Sequence, residues 1–182
     1  FMAETRRSFG ANHPQAEVEV LWAPTPRLGA LLGQHALDLA LVSKPDAGGL
    51  DGGTPVLRRE ALGWVGNRHD QAAARAPLQL ALSDPDTLDH RAACEGLDAV
   101  GRPYRVAYAS GSMAGLLGVV RSGQAIAVLT QSGVPADLQI LPAGEGLPPL
   151  PPVGLAVQFD LRHPPALVTA FAEHLQRVVP GL

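Results

Sequence analysis

Two stretches of the sequence predict an α/β protein. Tyr104 to Pro135 runs through an apolar segment, a Ser-Gly-Ser corner, a helical period and a second apolar segment, the order of a βαβ unit. Asp38 to Val42 is a continuous apolar run directly behind a helical pattern, the kind of strand that a parallel sheet buries on both faces. No internal repeat of about 20 to 50 residues is visible, so a solenoid or propeller is excluded.

Composition bounds the class. The chain has 182 residues, enough for one large or two small domains with cores of their own. Hydrophobic residues make up 46% and charged residues 17%, and no apolar run approaches the roughly 18 residues of a membrane span, so neither a membrane nor a disordered protein is expected. Net charge is −3, and the basic residues cluster only as Arg6-Arg7 and Arg58-Arg59, which gives no footprint for nucleic acid. The single cysteine, Cys94, excludes an internal disulfide or a multi-cysteine metal site, and its helical surroundings (Thr87 to Val100) predict a buried structural thiol. The opening Phe1 to Arg7 looks like the middle of a helix, which predicts that the native protein starts upstream.

Taken in order, Phe1 to Asn12 places Phe1, Met2, Thr5, Phe9 and Asn12 near one face of an amphipathic helix that stops before Pro14. Glu17 to Trp22 alternates polar and apolar residues and predicts a strand. Arg27 to Leu37 is a helical pattern with Leu28, Leu31, Leu32 and His35 on one side; Pro26 suits its first turn and Thr25 its N-cap. Residues 45–53 predict a surface loop and Val56 to Val65 a strand. Asn67 to Ala76 is a polar connection, Leu78 to Leu82 a short strand, and Ser83 to Asp86 its corner before a helix from Thr87. Beyond the βαβ stretch, Leu138 to Leu141 is a short strand and residues 142–152, rich in proline, a rigid loop. Val153 to Phe159 is a strand, and Pro164 to Val179 a helix with Leu167, Phe171, Leu175 and Val178 as its buried stripe.

The chemistry gathers at corners. Ser110 or Ser112 can cap the helix that follows, and Gly111 admits close backbone approach. The first N–H groups of a helix lack internal partners and carry the positive end of its dipole, so this corner suits an anion such as a carboxylate. Capping alone explains a serine there equally well. Thr25, Ser43, Ser83 and Thr130 fall at comparable carboxyl edges, and a cleft lined by hydroxyls suits a small polar or anionic molecule.

Asp84, Asp86, Asp89 and His90 resemble a metal cluster, but they open a helix, where carboxylates favour the dipole and Asp86 or Thr87 caps. No zinc spacing is present, and the six scattered histidines share no ligand spacing. A Gly-x-Ser-x-Gly elbow is absent, and Gly111, Gly115 and Gly118 are not followed by Gly-Lys-Ser/Thr. Trp22 and Trp64 end apolar strands and are expected to pack. No catalytic constellation emerges, so the chain is expected not to be an enzyme and to need no metal or cofactor.

Three segments carry a family resemblance: the strand, serine corner and helix followed by Gly123-Gln124-Ala125-Ile126-Ala127-Val128-Leu129-Thr130; the Asp38-Leu39-Ala40-Leu41-Val42 run; and His13-Pro14 before Glu17 to Val20. They resemble the effector-binding domains of LysR-type transcriptional regulators, with Ala125 and Thr130 departing from the commonest pattern. The resemblance implies two Rossmann-like subdomains of periplasmic-binding-protein type 2, residues 1–66 with 153–182 and residues 67–152, joined by crossovers at Val56 to Val65 and Val153 to Phe159. It implies an effector between the subdomains, touched at Thr25, Ser43, Ser83, Ser110 and Ser112, to which the reading of the corners adds Thr130. Relatives that bind aromatic dicarboxylates tend to carry arginine where Ser43 stands, with Lys44 a partial substitute. By the same resemblance the family's first strand and its helix-turn-helix lie upstream of Phe1. The protein would be a cytoplasmic bacterial regulator that pairs as a homodimer through Phe1 to Gly10 and Met113 to Arg121, contacting DNA only through that upstream part. A stand-alone solute-binding protein shares the architecture and is the alternative.

Overall fold

The structure, a computed structural model, describes residues 2–46, 55–69, 71–144, 146–159 and 162–181. Most of the loop expected at 45–53 lies outside the described residues. The chain divides into two compact units, one formed by Phe1–Arg59 with Gly154–Leu182 and the other by Glu60–Val153.

The first unit holds helices α1 (Met2–Asn12) and α2 (Thr25–Gly33), strands β1 (Leu39–Pro45) and β2 (Val56–Glu60), and, from the end of the chain, a further strand and helix, Val153–Phe159 and Ala166–Val178. That last strand lies between β1 and β2 in a three-stranded sheet. Ala40 and Val42 are buried, with Leu28 of α2 packed over them. Helix α1 seats Phe9 against Phe171, with ring centroids 4.7 Å apart, and Ser8 Oγ shares a hydrogen bond with His174 Nε2 at 3.0 Å.

Sequence periodicity misplaces several features of this unit. Glu17 to Trp22 is in no strand, because alternation makes a strand only where a neighbour supplies the ladder, and among the described residues none does. Trp22 is accordingly 80% exposed rather than packed. Thr25 is the first residue of α2 rather than its cap: Pro24 holds the cap position, and Thr25 Oγ1 donates to the Ser43 carbonyl at 3.4 Å. Helix α2 stops at Gly33, four residues early. His35 N–H bonds the Leu32 carbonyl and Ala36 N–H the Leu31 carbonyl, a Schellman ending with His35 at φ 55°. His35 thus leaves the leucine face. In the terminal helix the buried residues are Ala172, His174 and Leu175, while Leu167 is exposed.

The second unit contains β3 (Leu62–Asn67), β4 (Leu78–Leu82), α3 (Leu88–Ala99), β5 (Tyr104–Ala109), α4 (Met113–Arg121), β6 (Ala127–Thr130) and β7 (Leu138–Leu141), so the strand of 153–159 is β8 and the last helix α5. The strand expected over Val56 to Val65 is broken at Ala61 into β2 and β3, which belong to different sheets. β3 pairs antiparallel with β6 and β7. β4 pairs in parallel with β5, and a parallel bridge between Leu80 and Ile126 joins the two pairings. The order is therefore β5-β4-β6-β3-β7. The βαβ stretch forms as expected, but its strands are not neighbours: β4 lies between them.

Leu78, Leu80, Leu82, Leu97, Ile126 and Val128 are fully buried in one cluster. Each contributes about 1.5–3 kcal/mol on leaving water. Trp64, 2% exposed, joins them and donates its indole N–H to the Pro148 carbonyl at 2.8 Å. Cys94 is half-buried against this cluster instead of inside it.

Candidate functional site

In the second unit, three parallel strands end side by side. β5 runs into Ser110, β4 into Ser83, and β6 into Thr130, so all three hydroxyls stand at the carboxyl edge of the same sheet. Ligands of open α/β sheets bind at that edge.

The Ser110–Ser112 corner is ordered by its own backbone. Ser110 N–H continues the ladder to the Leu82 carbonyl at 3.1 Å. The Ser110 hydroxyl accepts from Ser112 N–H at 3.0 Å, and Ser112 Oγ caps α4 by accepting from Gly115 N–H at 3.3 Å. That leaves the Met113 and Ala114 amides as the unpartnered donors of the first turn among the described residues, at the positive end of the helix dipole.

Two side chains that the sequence did not assign to it close on this corner. A Cβ at Gly111 would lie 3.0 Å from Asp84 Oδ2, and one at Gly115 would lie 2.1 Å from Tyr108 Oη. The first approach follows from the parallel register that sets Leu82 beside Ala109, and the second from α4 folding back beside the strand that leads into it. Glycine at 111 and 115 is what lets the carboxylate and the phenol come so near. A glycine-rich corner was the one signal in the sequence; which groups fill it depends on long-range pairing.

Ser83 is committed within its own turn. Its hydroxyl donates to Asp89 and lies 2.7 Å from Thr87 Oγ1, Thr87 Oγ1 donates to the Asp84 carbonyl, and His90 Nδ1 donates to the Ser83 carbonyl. Thr87 occupies the N-cap position of α3 without a side-chain bond to the helix amides. Thr130 opens a short 3₁₀ turn, Gln131–Gly133, without capping it by its side chain. Beside that turn Ser132 donates to Glu60 Oε2 at 2.7 Å, and Glu60 is buried, a carboxylate the periodicity did not mark.

In the first unit, Thr25 and Ser43 meet through the hydrogen bond already described. Ser43 is not at a corner beyond its strand but within β1, half-buried, with Lys44 and Pro45 continuing it. The structure thus gathers Ser83, Ser110, Ser112 and Thr130 on one sheet edge, and Thr25 with Ser43 in the other unit. The groups collected are hydroxyls, amides and two carboxylates. They can hold and orient a small polar molecule through hydrogen bonds.

Comparison with known proteins agrees with this architecture. The family model described as LysR substrate binding domain matches residues 1–180. The HTH-type transcriptional regulator DgdR of Burkholderia cepacia is 53% identical over 182 residues, all of this chain, which spans 61% of that protein's length. Among solved structures, the Synechocystis PCC6803 CcmR regulatory domain in complex with 2-PG superposes with a TM-score of 0.78 at 17% identity, covering 98% of this chain and 90% of that one. The effector binding domain of QuiR in complex with shikimate gives a TM-score of 0.72 at 12% identity, covering 97% and 89%. At such identities these structures speak for the fold alone, the two-unit α/β architecture, whereas the match over nearly the whole chain and the 53% relative fix the lineage. The chain belongs to the LysR substrate binding domain family.

Proposed function

We propose that this chain is the effector-sensing part of a cytoplasmic LysR-type transcriptional regulator. A small polar or anionic molecule is taken up at the hydroxyl corners, with Thr25, Ser43, Ser83, Ser110, Ser112 and Thr130 as the contacting residues. The observation that carries this reading is the Ser110–Ser112 corner: two open helix amides at the carboxyl edge of a parallel sheet, with Asp84 and Tyr108 alongside. The relatives support it. DgdR bears a regulator's name, and the CcmR and QuiR structures were solved with small organic ligands.

Binding becomes regulation only if the effector has different affinity for two arrangements of the protein. The readout on DNA lies with a helix-turn-helix part, outside these residues. Pairing into a homodimer through α1 and α4 completes the proposal; a light-scattering mass of one chain at micromolar concentration would contradict that component. The effector component is tested by a thermal-shift screen against small carboxylates, amino acids and aromatic acids. Ser83 must surrender its bond to the Asp89 carboxylate before it can serve a ligand, whereas Thr25 gives up only a 3.4 Å bond to the Ser43 carbonyl, so Ser112 and Thr25 are the informative positions to mutate.

A further inference from the structure

The Asp84 carboxylate beside the Ser110–Ser112 corner is half-buried, yet it accepts no hydrogen bond and faces no cation among the described residues. Its own turn does not use it. Thr87 holds the cap position of α3 and the Ser83 hydroxyl goes to Asp89. What Asp84 gives the turn is its backbone carbonyl, which accepts from Thr87 N–H at 3.0 Å and from Thr87 Oγ1 at 2.7 Å. The side chain reaches across the sheet edge instead, with Oδ2 3.0 Å from where a Cβ at Gly111 would stand.

This sets a negative charge beside a site suited to one. Just beyond Gly111, the Met113 and Ala114 amides open the positive end of α4, and the Tyr108 hydroxyl lies over the same turn. A ligand bearing a carboxylate alone would bring like charge against Asp84. A ligand with an ammonium group next to its carboxylate reverses the sign, because the carboxylate takes the amides and the ammonium makes a charge-assisted bond to Asp84. The Cα atoms of Gly111 and Met113 are at most about 7 Å apart, a span that a molecule carrying both groups on one carbon can bridge. Glycine at 111 keeps the carboxylate open to the corner, since any side chain there would meet it.

Given that the corner is the effector site, as proposed above, we infer that Asp84 is its specificity-determining residue and selects an α-amino acid. The Met113 and Ala114 amides hold the ligand's carboxylate and Asp84 holds its ammonium group. Ser110 and Ser112, bonded to the backbone of the corner, fix the loop that sets the two apart. Asp84 then reads charge rather than shape: it admits an acid that also carries a proton-bearing nitrogen and turns away the same acid without one.

The test is calorimetric titration of the protein with the standard amino acids in both enantiomers, each hit being compared with the 2-hydroxy acid of the same side chain. At least one amino acid binds, and its hydroxy acid binds about tenfold more weakly or worse. Asp84→Asn keeps the size of the side chain and breaks no bond among the described residues, so the variant folds. In it the amino acid binds about tenfold more weakly and its advantage over the hydroxy acid disappears. Ser112→Ala weakens both ligands alike. Absence of binding by every amino acid at about 10 mM overturns the inference, as does a hydroxy acid that binds as tightly as its amino acid, or a preference for the ammonium group that survives Asp84→Asn. A carboxylate without nitrogen whose binding is weakened by Ser112→Ala sinks the amino acid while sustaining the corner. An amino acid whose affinity is indifferent to both Ser112→Ala and Asp84→Asn removes both, so the two readings fail separately.

Discussion

Replacing Gly115 with alanine puts a methyl group where the Tyr108 hydroxyl lies, 2.1 Å from Oη and 3.2 Å from Cζ. In an unobstructed helix the change stabilises by up to about 1 kcal/mol. Here the hydroxyl must withdraw by more than about 1 Å to reach ordinary contact distance. Its ring is packed against the cluster that contains Leu116 and Val120, so it cannot withdraw freely. Overpacking of this kind costs about 1–3 kcal/mol, which leaves Gly115→Ala destabilising by about 1 kcal/mol net. With Tyr108→Phe the hydroxyl is gone and the nearest atom is a ring carbon at 3.2 Å, so alanine recovers most of its helical advantage. The cycle formed by the two singles and the double predicts a coupling of about 1–2 kcal/mol, read from urea unfolding followed by circular dichroism. A Gly115→Ala effect that is the same in both backgrounds, within about 0.5 kcal/mol, refutes the placement of Tyr108 over the first turn of α4.

Two more predictions test the second unit. Trp64→Phe removes the hydrogen bond to the Pro148 carbonyl and part of a buried ring, and should lower stability by about 2–3 kcal/mol; a loss below about 0.5 kcal/mol would show that the indole does not anchor the 142–152 loop. The Tyr104 hydroxyl is pushed up to about 12, first by burial and then by Cys94 and Asp98, with Oη donating to Asp98 Oδ2 at 3.4 Å. Because the folded state holds this proton more tightly than the unfolded state, the stability it contributes is complete below about pH 10 and is lost as pH rises towards 12. Absorbance titration of tyrosinate should show a late step that Tyr104→Phe abolishes, and a late step that persists in Tyr104→Phe would contradict the assignment.

How far the sequence carried depends on whether a feature is local. The Tyr104–Thr130 stretch was legible because a strand, a cap and a helix each leave a short-range signature: Ser112 does cap α4. The insertion of β4 between β5 and β6 was not legible, since sheet order is decided by pairings between distant segments. Glu17 to Trp22 shows the same limit from the other side: its opening Glu-Val-Glu-Val alternation suits a strand, yet a strand exists only with a partner. Thr25 and His35 went astray for a third reason. Proline and the Schellman hydrogen bonds set the ends of α2 and outweighed the side-chain preferences read from the pattern. Of the site, the hydroxyls at strand ends were visible as corner residues. Asp84 was legible only as a helix-opening carboxylate, because the register of β4 against β5 is what brings it to Gly111, and the Tyr108 contact with Gly115 depends on how α4 packs back on β5.

The central claim is that the Ser110–Ser112 corner receives the effector. The most direct test is to find a stabilising ligand by thermal shift and titrate it into wild-type protein and Ser112→Ala. A ligand at 100 times its Kd should stabilise by about 2.7 kcal/mol. Losing the capping hydroxyl from the corner should weaken binding by about 1 kcal/mol, roughly fivefold, with Thr25→Ala producing a loss of similar size. A ligand whose affinity is unchanged in both variants would contradict the account.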